Sequence, residues 1–105
     1  MTNVVVTSDV KLAVSYGKRS RLEIYRDILH ALNKEVWDNP RPRLTKVAIQ
    51  ANLSYDRFQR ALGYLRLLGF CEWVDGSYTV TEKGLEYIRE YRRINDALSR
   101  FGLRL

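Results

Sequence analysis

Between Tyr55 and Arg66 the chain sets Tyr55, Arg57, Gln59, Arg60, Tyr64 and Arg66 among Phe58, Ala61, Leu62, Leu65 and Leu68. Apolar residues at three- and four-residue spacing share one face of a helix, which leaves the Arg, Gln and Tyr side chains on the opposite face. Arg and Gln can pair bidentately with guanine and adenine edges, and Arg and Tyr also bond phosphate oxygens. The chemistry predicted here is noncovalent recognition of a duplex, with Tyr55, Arg57, Gln59 and Arg60 as base contacts. Gly63 lies on the same outward face, where it would either admit a sugar-phosphate backbone or pack against a helix.

The charge distribution supports a polyanionic partner. The formal net charge is +6, and Arg41 to Leu68 holds six basic residues (Arg41, Arg43, Lys46, Arg57, Arg60, Arg66) against one acid, Asp56. Such a cationic face attracts and steers a polyanion. We therefore expect phosphate or groove contacts from Arg43, Lys46, Arg57, Arg60, Tyr64 and Arg66. Enzyme chemistry lacks its usual groups: there is no paired-carboxylate site, no Ser/His or Cys/His constellation and no glycine-rich phosphate loop. One cysteine, Cys71, and one histidine, His30, offer few metal ligands. No cofactor, metal or small-molecule ligand is expected. No apolar run approaches the roughly 18 residues of a membrane span, and no secretory leader is visible, which predicts a cytoplasmic address.

The elements that must carry these residues follow from local signals. Ser20 and Glu23 form a capping box that starts a first helix near Arg21. Leu22, Tyr25, Ile28, Leu29 and Leu32 make its inward stripe, and Asn39-Pro40-Arg41-Pro42 breaks it. Arg43-Leu44 is read as a short strand. Thr45 is then the N-cap of a short second helix ending at Ala51, with Val47, Ala48 and Ala51 inward, and Ser54 the N-cap of the third helix, Tyr55 to Leu68. After Gly69 the period becomes alternating, Phe70 to Val74 and Ser77 to Thr81, across Asp75-Gly76, a strong hairpin signal. That pairing puts Cys71, Trp73, Tyr78 and Val80 on one face, expected to cover the core. Helix, turn, helix, hairpin is the order of a winged helix-turn-helix, mainly α with a small β element (α+β).

Thr81 is expected to cap a last helix, whose Leu85 and Ile88 close the core. Beyond them Tyr87, Tyr91, Ile94, Leu98, Phe101 and Leu105 alternate at four- and three-residue spacing, the seam of a coiled coil. This predicts a homodimer joined through the C-terminal helix, the alternative being a helix folded back on the first one. Three segments result: an arm at 1–17 with a strand-like pattern, the winged helix-turn-helix at 18–84 and the dimerisation helix at 85–105. The arm could add a strand to the wing or to a partner subunit, or fray.

Several runs together, Lys18-Arg19-Ser20-Arg21-Leu22-Glu23-Ile24, Leu44-Thr45-Lys46, Ala51-Asn52-Leu53-Ser54-Tyr55, Leu68-Gly69-Phe70 and Tyr78-Thr79-Val80-Thr81-Glu82-Lys83-Gly84, carry a family resemblance. Over about residues 18 to 98 the chain resembles archaeal winged-helix proteins typified by small crenarchaeal chromatin proteins. The resemblance implies a basic dimer, joined by an antiparallel coiled coil of C-terminal helices, that binds double-stranded DNA with low sequence specificity or acts as a regulator. Such a protein would be nucleoid-associated.

One feature of the sequence favours a different class. From Gly69 to Val80 there is no Lys or Arg, so the wing is a poor phosphate or minor-groove contact. Lys83, just past it, could compensate in part. A winged helix that binds another protein through the third helix or the Trp73 face is therefore the second reading. RNA could engage the same cations, although no aromatic-rich sheet face is visible.

Overall fold

The computed structural model describes residues 19–105, so the strand-like arm expected at 1–17 lies outside the described residues. Among the described residues, four helices and one hairpin follow in the order α1 (Arg21–Asp38), α2 (Leu44–Gln50), α3 (Tyr55–Leu67), β1 (Cys71–Val74), β2 (Ser77–Val80) and α4 (Glu82–Ser99). The fold is mainly helical with a two-stranded antiparallel sheet, the α+β winged helix-turn-helix arrangement expected from the sequence.

Helix α1 begins where the capping signal puts it: Ser20 Oγ accepts the Glu23 N–H at 3.1 Å. It is the floor of the domain, with Ile28, Leu29, Ala31 and Leu32 buried against Val47, Ala48, Phe58, Leu62, Leu65 and Cys71 from the other elements. Leu22, expected on that stripe, is instead half exposed. It sits in the first turn, at the edge of the domain, where the Tyr87 hydroxyl donates to the Leu22 carbonyl at 2.5 Å. Burying a core side chain such as Phe58 is worth about 3–5 kcal/mol against its truncation to Ala, a large share of a small domain's stability.

Two expectations about α2 need correction. Leu44 is already helical and Arg43 is the N-cap, without a side-chain cap, so Thr45 lies inside the helix and caps nothing. Arg43 is extended at φ −110°, ψ 120°, but Arg43-Leu44 forms no strand, and among the described residues the sheet has two strands only. The physical reason is Glu35. Its buried carboxylate on α1 accepts the N–H of the N-cap Arg43 at 3.0 Å, as the acidic partner of a capping box does, and so fixes the chain at Arg43 as the start of the helix.

The turn between α2 and α3 passes through Asn52 at φ +58°, a conformation asparagine tolerates better than most residues. Helix α3 starts with Ser54 Oγ accepting the Arg57 N–H, as expected. It ends in a Schellman arrangement: Gly69 at φ +86°, its N–H on the Arg66 carbonyl and the Phe70 N–H on the Leu65 carbonyl, each at 3.0 Å. Leu68, expected inward, becomes the C-cap and is 38% exposed.

The hairpin has the expected register, Cys71 with Val80 and Trp73 with Tyr78. Asp75 and Gly76 both have positive φ, 52° and 80°, as a two-residue type I′ turn requires. Tyr78 and Val80 of its inner face pack against the core, and the two residues they pair with differ. Cys71 is buried, whereas Trp73 is 50% exposed and meets Tyr78 edge-on at 5.0 Å. Burial pushes the Cys71 thiol up to about 11, against a smaller opposing pull from Arg66, so the group is a neutral core residue.

Candidate nucleic-acid interface

Helix α3 presents the residues singled out from the sequence on one outer face. Tyr55, Arg57, Gln59, Arg60, Tyr64 and Arg66 are all exposed, while Phe58, Leu62 and Leu65 point into the core. A Cβ built on Gly63 would meet nothing within 4 Å, so of its two readings packing against a helix of the same chain is removed. The face is organised internally. Gln59 Nε2 donates to the Tyr55 hydroxyl at 3.1 Å, Arg60 reaches Asp56 at 3.1 Å, Tyr64 lies 5.9 Å from the ring of Tyr25, and the Arg66 guanidinium stands 5.9 Å from the Tyr78 ring. The Arg60–Asp56 pair is highly exposed, and surface pairs of this kind are worth about 0–1 kcal/mol, so a phosphate can compete for Arg60. The Arg57 guanidinium has no carboxylate partner among the described residues.

Arg43 and Lys46 stand exposed at the start of α2, and both meet Glu35. Its Oε2 accepts the Arg43 N–H and the Asn39 Nδ2 at 3.0 and 3.2 Å, and its Oε1 lies 3.6 Å from Lys46 Nζ. The Arg43 N–H is the main cause holding the Glu35 carboxyl below its ordinary value; Lys46 and Asn39 act the same way, and burial opposes them. The Lys46 side chain is nonetheless 47% exposed, so its ammonium can still face a polyanion. Sequence reasoning missed Glu35. A signal was present: it continues the buried spacing of Ile28 and Leu32 by one further turn, an acid where the stripe calls for an apolar residue.

Lys83 is exposed but already engaged within the chain. Its ammonium donates to the Leu68 carbonyl at 2.6 Å, at the C-terminal end of α3, and stands 4.8 Å from the Phe70 ring. The whole run Thr81-Glu82-Lys83-Gly84 is a joint. Thr81 Oγ1 accepts the Gly84 N–H at 3.1 Å and donates to the Gly69 carbonyl at 2.6 Å, and the Thr81 N–H reaches the Phe70 carbonyl at 3.1 Å. A Cβ at Gly84 would lie 2.2 Å from the Phe70 oxygen, so only glycine lets the two backbones approach this closely. The joint fixes the hairpin and α4 against the end of α3.

A second clamp holds the turn. Arg19 Nη1 donates to Asp27 and to the Ala51 carbonyl, each at 2.7 Å, and Nη2 donates to the Asn52 carbonyl at 2.9 Å. A guanidinium on the last carbonyls of α2 satisfies groups that a helix end leaves open and opposes its negative pole. Nothing in the sequence marked Arg19 for this role.

The expected dimer seam is divided. Tyr87 and Tyr91 turn into the chain's own structure: Tyr91 is 7% exposed beneath Arg26, and burial pushes the Tyr87 hydroxyl up to about 12. For these turns the alternative reading holds, a helix folded back on α1. Ile94 and Phe101 remain exposed, Leu98 is partly buried, and the tail folds back with the Leu105 N–H on Asn95 of α4 and Arg104 3.8 Å from Glu23 of α1.

A short helix, a tight turn and a second helix with an exposed basic face, followed by a hairpin, define the class. The winged helix-turn-helix family model matches residues 18–99. The chain belongs to that family, in which a DNA-binding role without catalysis is typical. It is also similar to an uncharacterized protein of Methanocaldococcus jannaschii, 38% identical over 81 residues, which cover 73% of this chain and 36% of that protein. The chain thus spans about a third of that relative's length. Among the described residues no helix is long and apolar enough to cross a membrane, and no group of three or more His, Cys, Asp or Glu side chains could hold a metal ion.

Proposed function

We propose that this chain binds double-stranded DNA as a homodimer, with α3 in the major groove, and acts as a transcriptional regulator or a nucleoid-associated chromatin protein. The observation that carries the reading is the outer face of α3, where Arg57, Arg60 and Arg66 lie exposed beside Tyr55, Gln59 and Tyr64 in a family whose second helix of the motif is the usual groove reader. Arg43 and Lys46, exposed at the start of α2, supply phosphate contacts. Ile94, Leu98 and Phe101 join the two copies; a symmetric dimer on one face of the duplex would set its two α3 helices roughly 34–36 Å apart. A chromatin role would depend on the cations, and a regulatory role on base contacts from Tyr55, Arg57 and Gln59.

The test is a salt titration of binding to two duplexes of unrelated sequence, with Arg57→Ala/Arg60→Ala beside the unaltered chain. Similar affinities, both falling steeply with salt and with the substitutions, support phosphate-led binding. Binding to neither duplex at low salt would sink the proposal. It would favour the second reading, a protein-interaction winged helix, which draws on the hairpin: it has no cation, Lys83 is engaged at Leu68, and Trp73 is half exposed.

A further inference from the structure

From Gly69 to Val80 the hairpin has no cation to offer a nucleic acid, and its charged residues are Glu72 and Asp75. It cannot follow a phosphate backbone. It does carry an aromatic pair. Trp73 and Tyr78 are cross-strand partners in β1 and β2, with ring centres 5.0 Å apart and planes at 80°. In such an edge-on contact Tyr78 meets at most one face of the indole, and Trp73 is half exposed. The Tyr78 ring in turn lies 5.9 Å from the Arg66 guanidinium, within reach of a cation–π contact, and Arg66 stands exposed in the last turn of α3. Indole, phenol and guanidinium form one continuous surface that runs from the wing onto the basic face of α3.

We infer that Trp73 is a stacking site for an unpaired nucleobase, so that DNA with a short unpaired loop is a better ligand than a perfect duplex. The inference rests on the proposed DNA binding by α3. A π face needs no cation and accepts any base, but only one that has left the helical stack, because paired bases bury their faces against one another. The neighbouring groups fit this ligand. Glu72 points to the opposite side of the strand from Trp73, and Asp75 lies in the turn, so neither carboxylate stands on the Trp73–Tyr78 face. Arg66, across Tyr78, supplies a cation for the phosphate that flanks the base. Cys71, next on the same face, is buried, and Val80 opposite it is packed on the core, which confines the platform to the outer half of the hairpin. The continuity with Arg66 favours a nucleic acid over a protein partner, for which an isolated apolar patch would serve.

The test uses the Trp37→Phe chain, in which Trp73 is the sole indole; Trp37 is 81% exposed and outside the core. A short duplex and the same duplex carrying a central loop of unpaired thymines are titrated at one salt concentration. The looped DNA should bind about tenfold more tightly and quench Trp73 emission. Adding Trp73→Leu should abolish the preference and leave affinity for the perfect duplex unchanged, whereas Trp73→Phe, which keeps a smaller ring, should retain part of it. Arg57→Ala/Arg60→Ala should weaken both DNAs together and preserve their ratio. Equal affinity for the two DNAs, tighter binding of the loop without quenching, or a preference that Trp73→Leu leaves intact would overturn the stacking site while duplex binding by α3 stood. Binding to neither DNA would overturn both.

Discussion

Lys83 and Arg57 carry the same charge at the two ends of one working unit, and the chain uses them oppositely. At the joint, Lys83 is committed to the Leu68 carbonyl, Thr81 to the Gly69 carbonyl and Gly84 to the close approach of Phe70. On the outer face of α3, Arg57 projects into solvent and Arg60 holds Asp56 only loosely. A tally of basic residues treats these as one property. The structure separates cations that close the fold, Lys83 and Arg19, from cations left for a partner, Arg57, Arg60 and Arg66. Lys46 lies between the groups, tied to Glu35 and still half open to solvent.

The joint is most vulnerable at Gly84. Gly84→Ala would set a Cβ 2.2 Å from the Phe70 oxygen and 2.6 Å from Val80 Cγ1, and neither a backbone carbonyl nor a packed methyl can swing aside. Alanine's better helix propensity returns about 1 kcal/mol, which an overpacking cost of about 3 kcal/mol exceeds. The denaturation midpoint should fall accordingly; an unchanged midpoint would show that the joint is looser than these distances indicate. On the α3 face the corresponding variant is Arg57→Ala/Arg60→Ala. Each charged contact is worth about 1.5–3 kcal/mol, so duplex affinity at low salt should drop at least about a hundredfold, and the slope of log affinity against log salt should lessen by about 0.9 for each phosphate no longer neutralised. Stability should stay within about 0.5 kcal/mol, because neither side chain enters the core. A fall in stability as large as the fall in binding would erase the distinction between the two regions.

How much of this is legible in the sequence depends on whether the signal is local. Ser20, Ser54 and Thr81 cap their helices where short-range spacing puts them, and Asp75-Gly76 turns the hairpin as its residue types require. The inward and outward faces of α3 follow from period alone up to Leu68. Tertiary contacts are the hidden part. Thr45 has the right residue type for a cap, but an acid eight residues before Arg43 holds the Arg43 N–H and starts the helix two residues earlier. Arg19 reaches across more than thirty positions to Ala51 and Asn52, a separation no local pattern encodes. The apolar stripe through Tyr87 and Tyr91 is visible in the spacing, but a stripe does not name its partner, and α1 takes its first two members. The binding face itself is legible as a set of exposed residues, whereas the pairings Tyr55–Gln59 and Asp56–Arg60 come only with three dimensions.

Lys83→Met probes the same division from the other side. The substitution keeps an unbranched chain near Phe70 but removes the ammonium from the Leu68 carbonyl at the negative end of α3. It should cost about 1 kcal/mol of stability. Duplex affinity should be unchanged, since this cation serves the fold. A loss of binding comparable with that of the α3 double variant would return Lys83 to the wing and overturn its assignment to the joint.

The smallest effect is expected at Glu35, and it is distinguished by its pH dependence. Its carboxyl is held below the ordinary value of 4.5, principally by the Arg43 N–H. A carboxyl whose folded value is depressed stabilises the fold at pH above its unfolded value, and that contribution fades as pH falls through the folded value. Glu35→Gln keeps the shape and one oxygen for the Arg43 N–H but gives up the charge that faces Lys46. At pH 7 the variant should unfold at lower urea than the unaltered chain. The gap should narrow as pH falls below about 4.5, where the unfolded acid takes up its proton, and close only below the depressed folded value, where the native acid becomes neutral as well. Urea midpoints measured from neutral pH down to strongly acidic solution decide this. A gap that stays constant across the range would assign Glu35 a purely steric role, and Lys46 would then join Arg57 as a cation free for a partner, moving the boundary between the two groups by one residue.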